Sequence, residues 1–77
     1  MRITPVDWRV LVCVFEQVGF TKDRVKGSHL SMTKPGVIRP IVIPMYDEIG
    51  VDIILSNLRT AGISRERYFE LLEKRKN

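Results

Sequence analysis

The chain has 77 residues, with 13 Lys and Arg against 9 Asp and Glu, and its formal net charge is +4. A chain of this size buries only roughly 60% of its unfolded surface, which predicts one domain over residues 1–77 and excludes a deep enclosed active-site cavity. A substrate laid across the surface is therefore expected, and the excess of cations favours a polyanion. Basicity of this degree is also common among small domains, so it is a weak signal for nucleic acid.

The sequence contains one cysteine, Cys13, so no intrachain disulfide can form. A small fold without a disulfide fits a reducing compartment, and a cytoplasmic location is expected. The longest apolar run, residues 10–15, is far shorter than the roughly 20 residues of a membrane helix, so no membrane association is predicted. Asp7, Arg9 and Glu16 interrupt the apolar N-terminal stretch, which argues against a secretory signal.

A first helix is predicted near the N-terminus. Thr4 is a capping residue, Pro5 suits the first helical position, and Asp7 stands where a carboxylate meets unpaired N–H groups. Gly19 favours an end of the helix after Val18. One helical stripe is predicted to be core: Trp8, Leu11, Phe15 and Val18. The apolar residues on an adjoining face exceed what one packing surface needs and suggest a partner-binding patch: Val10, Cys13 and Val14.

A strand over residues 20–26 is predicted next, and its alternation places Lys22, Arg24 and Lys26 on one face. Three cations in a row can hold a phosphate backbone. Gly27 allows a kink or bulge before a second strand over residues 28–33.

His29 is the only histidine, and histidine is the side chain whose unperturbed pKa lies near neutral pH. In the second strand, Leu30 and Met32 face one way and His29 the other. If Leu30 and Met32 pack under the helices, His29 points from the open face of the sheet, within reach of a long substrate. The alternative is a half-exposed histidine without chemistry, which is the commoner role of a lone histidine in a strand.

The segment Lys34-Pro35-Gly36-Val37 predicts a type II turn, which joins the second strand to a third strand over residues 37–43. Pro40 cannot donate a ladder hydrogen bond, so this strand is expected at a sheet edge or with a bulge. Pro44 ends the sheet. A loop follows over residues 45–50, and it contains Tyr46, Asp47 and Glu48, whose acids repel RNA unless they turn away.

Two helices are predicted in the last third of the chain. Asp52 is the expected cap of a helix that runs to Ala61, and Gly62 is its stop, with Ile63 folding back onto the last turn. Its apolar stripe is Ile54, Leu55, Leu58 and Ala61. Ser64 caps the final helix, whose apolar contacts are Tyr68, Phe69, Leu71 and Leu72. The basic tail Lys74-Arg75-Lys76 is interpreted as a solvated helix end rather than an RNA contact.

This order of elements predicts a small α+β domain, α-β-β-β-α with a short C-terminal helix, in which helices cover one face of a three-stranded antiparallel sheet. Four segments stand at places that match a known family. They are Val18-Gly19-Phe20, Lys26-Gly27-Ser28-His29, Val42-Ile43-Pro44, and the run from Leu55 to Ser64 that includes Ala61-Gly62-Ile63-Ser64. Together they resemble HicA (YcfA-like), the toxin of HicA-HicB toxin-antitoxin pairs. Pro40 and Met45-Tyr46-Asp47 depart from the usual family pattern.

The resemblance implies a fold like that of the double-stranded-RNA-binding domain, cleavage of messenger RNA, and neutralisation by a HicB-like antitoxin. It also implies that His29 is the catalytic residue. The candidate RNA-binding residues are Lys22, Arg24, Lys26, Ser28, Lys34 and Arg39. One His, one Cys and scattered acids offer no spaced set of metal ligands, so neither a metal nor another cofactor is expected.

The mechanism expected from these residues is metal-independent cleavage, with His29 as the general base that takes a ribose 2′-OH proton. Ser28 either positions a phosphate oxygen or hydrogen-bonds the turn, and the latter is the preferred role. A general acid is not evident; water, a lysine or Tyr46 can serve. Two rival hypotheses remain open: a non-catalytic RNA-binding module on the same fold, and a protein-interaction module whose basic face meets an acidic partner.

Overall fold

The chain folds into three helices and three strands in a computed structural model that describes residues 2–75. The elements are α1 Trp8–Glu16, β1 Thr21–Lys26, β2 His29–Thr33, β3 Ile41–Pro44, α2 Val51–Ala61 and α3 Arg65–Lys74. The strands form an antiparallel sheet in the order β1-β2-β3, so β2 is central and the other two are edges. The predicted α+β class and order of elements are confirmed. Lys76, part of the predicted basic tail, lies outside the described residues.

One face of the sheet carries the core. Leu30 and Met32 of β2 and Ile41 and Ile43 of β3 are buried, because side chains of one parity along a strand share a face. Helices α1 and α2 contact β3, and α3 contacts α1. The helices contribute further large buried side chains, while Phe20 and Ile49 come from connecting segments. The helical ones are Leu11, Val14, Phe15, Ile54, Leu58, Tyr68 and Leu71. His29 lies on the opposite, open face, as predicted.

The first helix begins later than predicted. Asp7, not Thr4, is the N-cap, and its Oδ1 accepts the Arg9 N–H at 2.8 Å. The reason is tertiary: the Val6 N–H donates to the Ile49 carbonyl at 3.3 Å, and the Ile49 N–H donates to the Val6 carbonyl at 2.7 Å. This pairing holds Val6 in an extended bridge, so the segment before Asp7 cannot join the helix.

The apolar stripe of α1 is confirmed in part. Leu11 and Phe15 are fully buried, whereas Trp8 and Val18 are half-buried, and Val18 lies beyond the end of the helix at Glu16. The patch proposed on the adjoining face shrinks because Val14 is fully buried in the core. The remaining members of that patch, Val10 and Cys13, are half-buried.

The turn and the third strand follow the sequence pattern with one correction. The Val37 N–H donates to the Lys34 carbonyl at 3.1 Å, and Gly36 has φ 88°, as a type II turn requires. The strand, however, begins at Ile41 rather than Val37, and residues 37–40 are irregular. Pro40 lies just before the strand, and β3 is an edge strand as predicted.

The caps of α2 differ in how well local sequence predicted them. Gly50 is the N-cap and makes no side-chain capping bond, while Asp52 lies in the first turn. The end of α2 is as predicted. Gly62 is left-handed at φ 72°, and the Ile63 N–H donates to the Leu58 carbonyl at 2.9 Å.

The last helix confirms its predicted cap, because Ser64 Oγ accepts the Arg67 N–H at 3.1 Å. Tyr68 and Leu71 are buried, and Phe69 and Leu72 are half-buried against the core. In α2, Ile54 and Leu58 are buried, whereas Leu55 is exposed.

Strands β1 and β2 form a hairpin with Gly27 and Ser28 as its two-residue loop. Gly27 has φ 61°, and no non-glycine residue between 2 and 75 has a positive φ. Glycine at the first central position followed by a residue of negative φ is the pattern of a type II′ turn. Gly27 therefore forms the hairpin turn rather than a kink between two strands.

We expect Gly27→Ala to lower the free energy of unfolding by roughly 1–2 kcal/mol, because an L side chain at positive φ is strained. Space is not the cause, since nothing lies within 4 Å of the added Cβ. Ser28→Ala is the matched control and should change stability by no more than about 0.5 kcal/mol. Urea unfolding measures both. Equal stability of Gly27→Ala and the parent would contradict the assigned turn.

The buried hydroxyl of Tyr68 leads to a second prediction about the free energy of unfolding. Its side chain is 1% exposed, and its hydroxyl has no hydrogen-bond partner among residues 2–75. Burial raises the pKa of this hydroxyl above its ordinary value, partly offset by Arg75. Tyr68→Phe should therefore leave the free energy of unfolding unchanged or raise it by up to about 1 kcal/mol.

The sign of the accompanying pH effect follows from the raised pKa. Tyr68 contributes its full stability below its unfolded pKa of about 10 and loses it as the pH rises through the folded pKa. Unfolding measured from neutral to alkaline pH should show a smaller alkaline loss in Tyr68→Phe than in the parent. A variant destabilised by more than about 1 kcal/mol at neutral pH would show that the hydroxyl is hydrogen-bonded.

Candidate functional site

His29 is the first residue of the central strand and lies between two partners. It pairs with Lys26 of β1 on one side and with Pro44 of β3 on the other. Its side chain is exposed and makes no hydrogen bond or ion pair within residues 2–75. The imidazole is therefore open to solvent and accessible to a ligand on the open face.

The cations of β1 do not all share the face of His29. Lys22 pairs with Met32 and Arg24 with Ser31, so a bulge at Asp23 interrupts the alternation. Directly paired residues share a face, which places Arg24 with Ser31 on the open face and Lys22 with Met32 on the helix-covered face. The prediction of three cations on one face is wrong for Lys22, because the bulge shifts the register by one residue.

The remaining open-face cluster consists of His29, Lys26 and Arg24. Cross-strand partners have Cβ atoms roughly 4.5–5.5 Å apart, and diagonal neighbours lie roughly 7–8 Å apart. Lys26 is the direct partner of His29, and Arg24 is its diagonal neighbour. All three side chains are exposed. A group bound beside the imidazole thus has two cations on the same side.

The other predicted RNA-binding residues occupy different surroundings. Ser28 lies in the turn beside His29, and its backbone carbonyl accepts the Met45 N–H at 2.7 Å. Its hydroxyl makes no hydrogen bond within residues 2–75. The predicted role of Ser28 as a hydrogen-bonding residue of the turn is therefore wrong. Lys34 is half-buried, with its ammonium 5.7 Å from the centre of the Phe20 ring.

Arg39 lies in the irregular segment between the turn and β3. It lines a shallow depression with Arg59 of α2, together with Ile38 and Thr60. Arg59 was not among the predicted site residues. Only its place on the exposed side of α2 distinguishes it in the sequence, and its approach to Arg39 depends on tertiary packing.

A second depression lies between the edge of β3 and α2, with Pro40, Val42 and Asn57 among its lining residues. The Asn57 Nδ2 is buried and has no hydrogen-bond partner among the described residues. Tyr46, a candidate general acid, is exposed two residues beyond Pro44, the β3 partner of His29. Its backbone carbonyl accepts the Trp8 N–H at 3.1 Å, which ties this loop to α1.

Residues 2–75 offer neither a cluster of metal ligands nor a membrane-spanning helix. No group of three or more His, Cys, Asp or Glu side chains there is arranged to hold a metal ion. In the same part of the chain, no helix has the length and apolar character to cross a membrane.

Comparison with known proteins identifies the family. Residues 8–63 match the family model described as the HicA toxin of bacterial toxin-antitoxin pairs. The match begins with the first residue of α1 and ends just after the glycine that stops α2, so it contains the whole sheet and the hairpin that carries His29. No curated protein matches the chain. Because the family match spans well over half of the 77 residues, the chain belongs to the HicA toxin family of bacterial toxin-antitoxin systems.

Proposed function

We propose that this chain is the toxin of a type II toxin-antitoxin system and acts as a metal-independent endoribonuclease on messenger RNA. The observation that supports this most directly is the open-face cluster, in which an exposed and unpaired imidazole stands directly across from Lys26. Membership of the HicA toxin family supplies the toxin role.

The proposed chemistry is attack by a neighbouring hydroxyl. A ring nitrogen of His29 takes the proton of a ribose 2′-OH, and the 2′-oxygen then forms a bond to the adjacent phosphorus. The bond from phosphorus to the 5′-oxygen breaks, which leaves a 2′,3′-cyclic phosphate on one fragment and a 5′-hydroxyl on the other. RNA is required because DNA lacks the 2′-OH.

Lys26 and Arg24 are placed to stabilise the negative charge that develops on the phosphate oxygens. Ser28, with its free hydroxyl in the turn beside His29, is a further donor toward a phosphate oxygen. The departing 5′-oxygen needs a proton, and the candidates are Lys26, Tyr46 and water. Lys34 and Arg39 lie outside the open-face cluster and would contact the RNA backbone away from the bond that breaks. Lys22 lies on the helix-covered face and is not proposed to contact the RNA.

The partners follow from family membership and from the proposed substrate. A toxin of this family implies a cognate antitoxin, and we propose that it is HicB-like. We place the protein in the cytoplasm, where messenger RNA is translated, with no cofactor and no membrane association. The main alternative is a non-catalytic RNA-binding module on the same fold, which the exposed cations support equally and which would leave RNA ends unchanged.

His29→Ala is expected to lower RNA cleavage by roughly 10² to 10⁴-fold, because it removes the general base. RNA affinity and stability should hardly change, since the His29 side chain is exposed and makes no hydrogen bond or ion pair within residues 2–75. Cleavage is measured with the full chain in excess chelator, on matched RNA and DNA strands, with analysis for a 2′,3′-cyclic phosphate. Expression of the parent without its antitoxin should arrest growth, and the variant should not.

Cleavage by His29→Ala at the parental rate would show that His29 is not the base. Cleavage that needs an added divalent metal would overturn the proposed mechanism. RNA binding with unchanged RNA ends would support the non-catalytic module instead.

A second prediction separates the cations by the face on which they lie. Arg24→Gln and Lys26→Gln should each weaken RNA binding and lower the steepness of its salt dependence, because each removes one phosphate contact. Lys22→Gln is the matched control: it removes the same charge from the same strand, but on the helix-covered face. Binding titrations at several salt concentrations measure all three. A control that loses as much affinity as Lys26→Gln would contradict the assigned faces.

A further inference from the structure

We propose that the free edge of β1 is the docking site for an extended strand of a protein partner in which acidic and apolar residues alternate. The two edges of the sheet differ in the backbone groups that they leave free, and cations flank the free edge of β1. The proposal deepens the toxin-antitoxin assignment, but docking itself does not depend on RNA cleavage.

The hairpin turn decides which backbone groups of β1 are free. Lys26 and His29 flank a two-residue loop, and in such a turn the flanking residues form a hydrogen-bonded pair. Hydrogen-bonded and non-hydrogen-bonded pairs alternate along an antiparallel ladder. Val25, opposite Leu30, is therefore in a non-hydrogen-bonded pair. Its N–H and C=O point away from β2, toward the free edge.

The other side of β2 gives the same answer independently. The Met45 N–H donates to the Ser28 carbonyl in the register of the β2–β3 ladder, so the next hydrogen-bonded pair is Ile43 with Leu30. The backbone groups of Leu30 are thus directed to β3 and are not available to Val25. The same alternation directs those of Met32 to Ile41, which frees the backbone groups of Lys22.

The opposite edge of the sheet is closed to a strand. By this alternation, the backbone groups that point outward along β3 and the residue just before it are those of positions 40, 42 and 44. Two of them are Pro40 and Pro44, which have no N–H, so Val42 is the one residue of the three that can donate. The outward positions of β1, Lys22 and Val25, both carry an N–H. The edge of β1 thus offers two outward N–H groups, three residues apart across the bulge at Asp23, whereas the edge of β3 offers one.

The side chains beside the free edge select the partner. Arg24 and Lys26 lie on the open face, and Val25, which is 58% exposed, lies on the other. An added strand points its side chains alternately to the two faces. Acidic residues on one face would meet the two cations, and apolar residues on the other would cover Val25. A second copy of β1 would oppose like charges instead, which disfavours self-association.

Docking here would also act on the candidate active site, and this step depends on the proposed function. The cations that attract the acidic strand are the ones proposed to hold the RNA phosphate beside His29. An acidic strand on β1 therefore competes with RNA for Arg24 and Lys26 without filling a cavity.

The test uses the full chain and a short acetylated peptide in which Glu and Val alternate. Amide hydrogen exchange followed by NMR should show that the peptide slows exchange of the Val25 N–H and leaves that of Val42 unchanged. A peptide of the same sequence, N-methylated at alternate residues, cannot form the ladder and should not protect Val25. Binding should weaken as the salt concentration rises.

Val25→Pro removes one of the two outward N–H groups of β1 and should weaken peptide binding by roughly 5- to 100-fold, because a carbonyl of the added strand loses its donor. Val42→Pro is the matched control on the other edge, and it should bind like the parent. Neither variant changes the side chains proposed to contact RNA. RNA cleavage by both variants is measured in parallel and is expected to match that of the parent. If the parent itself does not cleave RNA, the proposed function is contradicted, but the protection of Val25 by the peptide still supports docking.

Three results would overturn the docking proposal. One is unchanged exchange at Val25 under saturating peptide. Another is protection of Val42 in its place, which would assign docking to the edge of β3. The third is equal protection of Val25 by an RNA strand, which would assign this edge to the nucleic acid. The exchange measurement on the parent decides the matter even if Val25→Pro fails to fold.

Discussion

The hydrogen-bond register of β2 is the constraint on which the rest of the structure depends. Its side chains alternate between the core and the open face, so one choice buries Leu30 and Met32 and exposes His29. A slip of one residue would expose both apolar side chains and bury the imidazole. Burial of Leu30 and of Met32 each contributes roughly 1.5–3 kcal/mol to the stability of the fold, so the slip is strongly disfavoured. The core therefore positions His29, although the side chain of His29 makes no hydrogen bond or ion pair within residues 2–75.

The parts of the fold that sequence predicted well are those with a local physical cause. Gly36 and Gly62 adopt the positive φ that their turn and helix end require, and Ser64 caps the helix that follows it. In each case the interacting groups lie within a few residues of one another, so the pattern contains the whole interaction. The same reasoning explains why the alternation of Leu30 and Met32 predicted the open face correctly.

Two of the errors have the opposite property, because they depend on a distant part of the chain. Thr4 is a good capping residue, but pairing between Val6 and Ile49 keeps its segment extended. The bulge at Asp23 depends on the register in which β1 pairs with β2, and no residue type within β1 predicts it. That single register shift removed Lys22 from the open-face cluster. The sequence thus predicted correctly that Arg24, Lys26 and His29 share the open face. It did not predict that Lys22 lies on the other face.

The charges around His29 are asymmetric, and this asymmetry gives the open face a direction. Lys26 and Arg24 lie on the β1 side of the imidazole, whereas the exposed acids Asp47 and Glu48 follow Pro44 on the β3 side. A phosphate is attracted to the first side and repelled from the second, and the two effects add. RNA bound on this face should therefore place its phosphate over β1. If the proposed function holds, an acidic protein strand and an RNA backbone would therefore compete for the same two cations, Arg24 and Lys26.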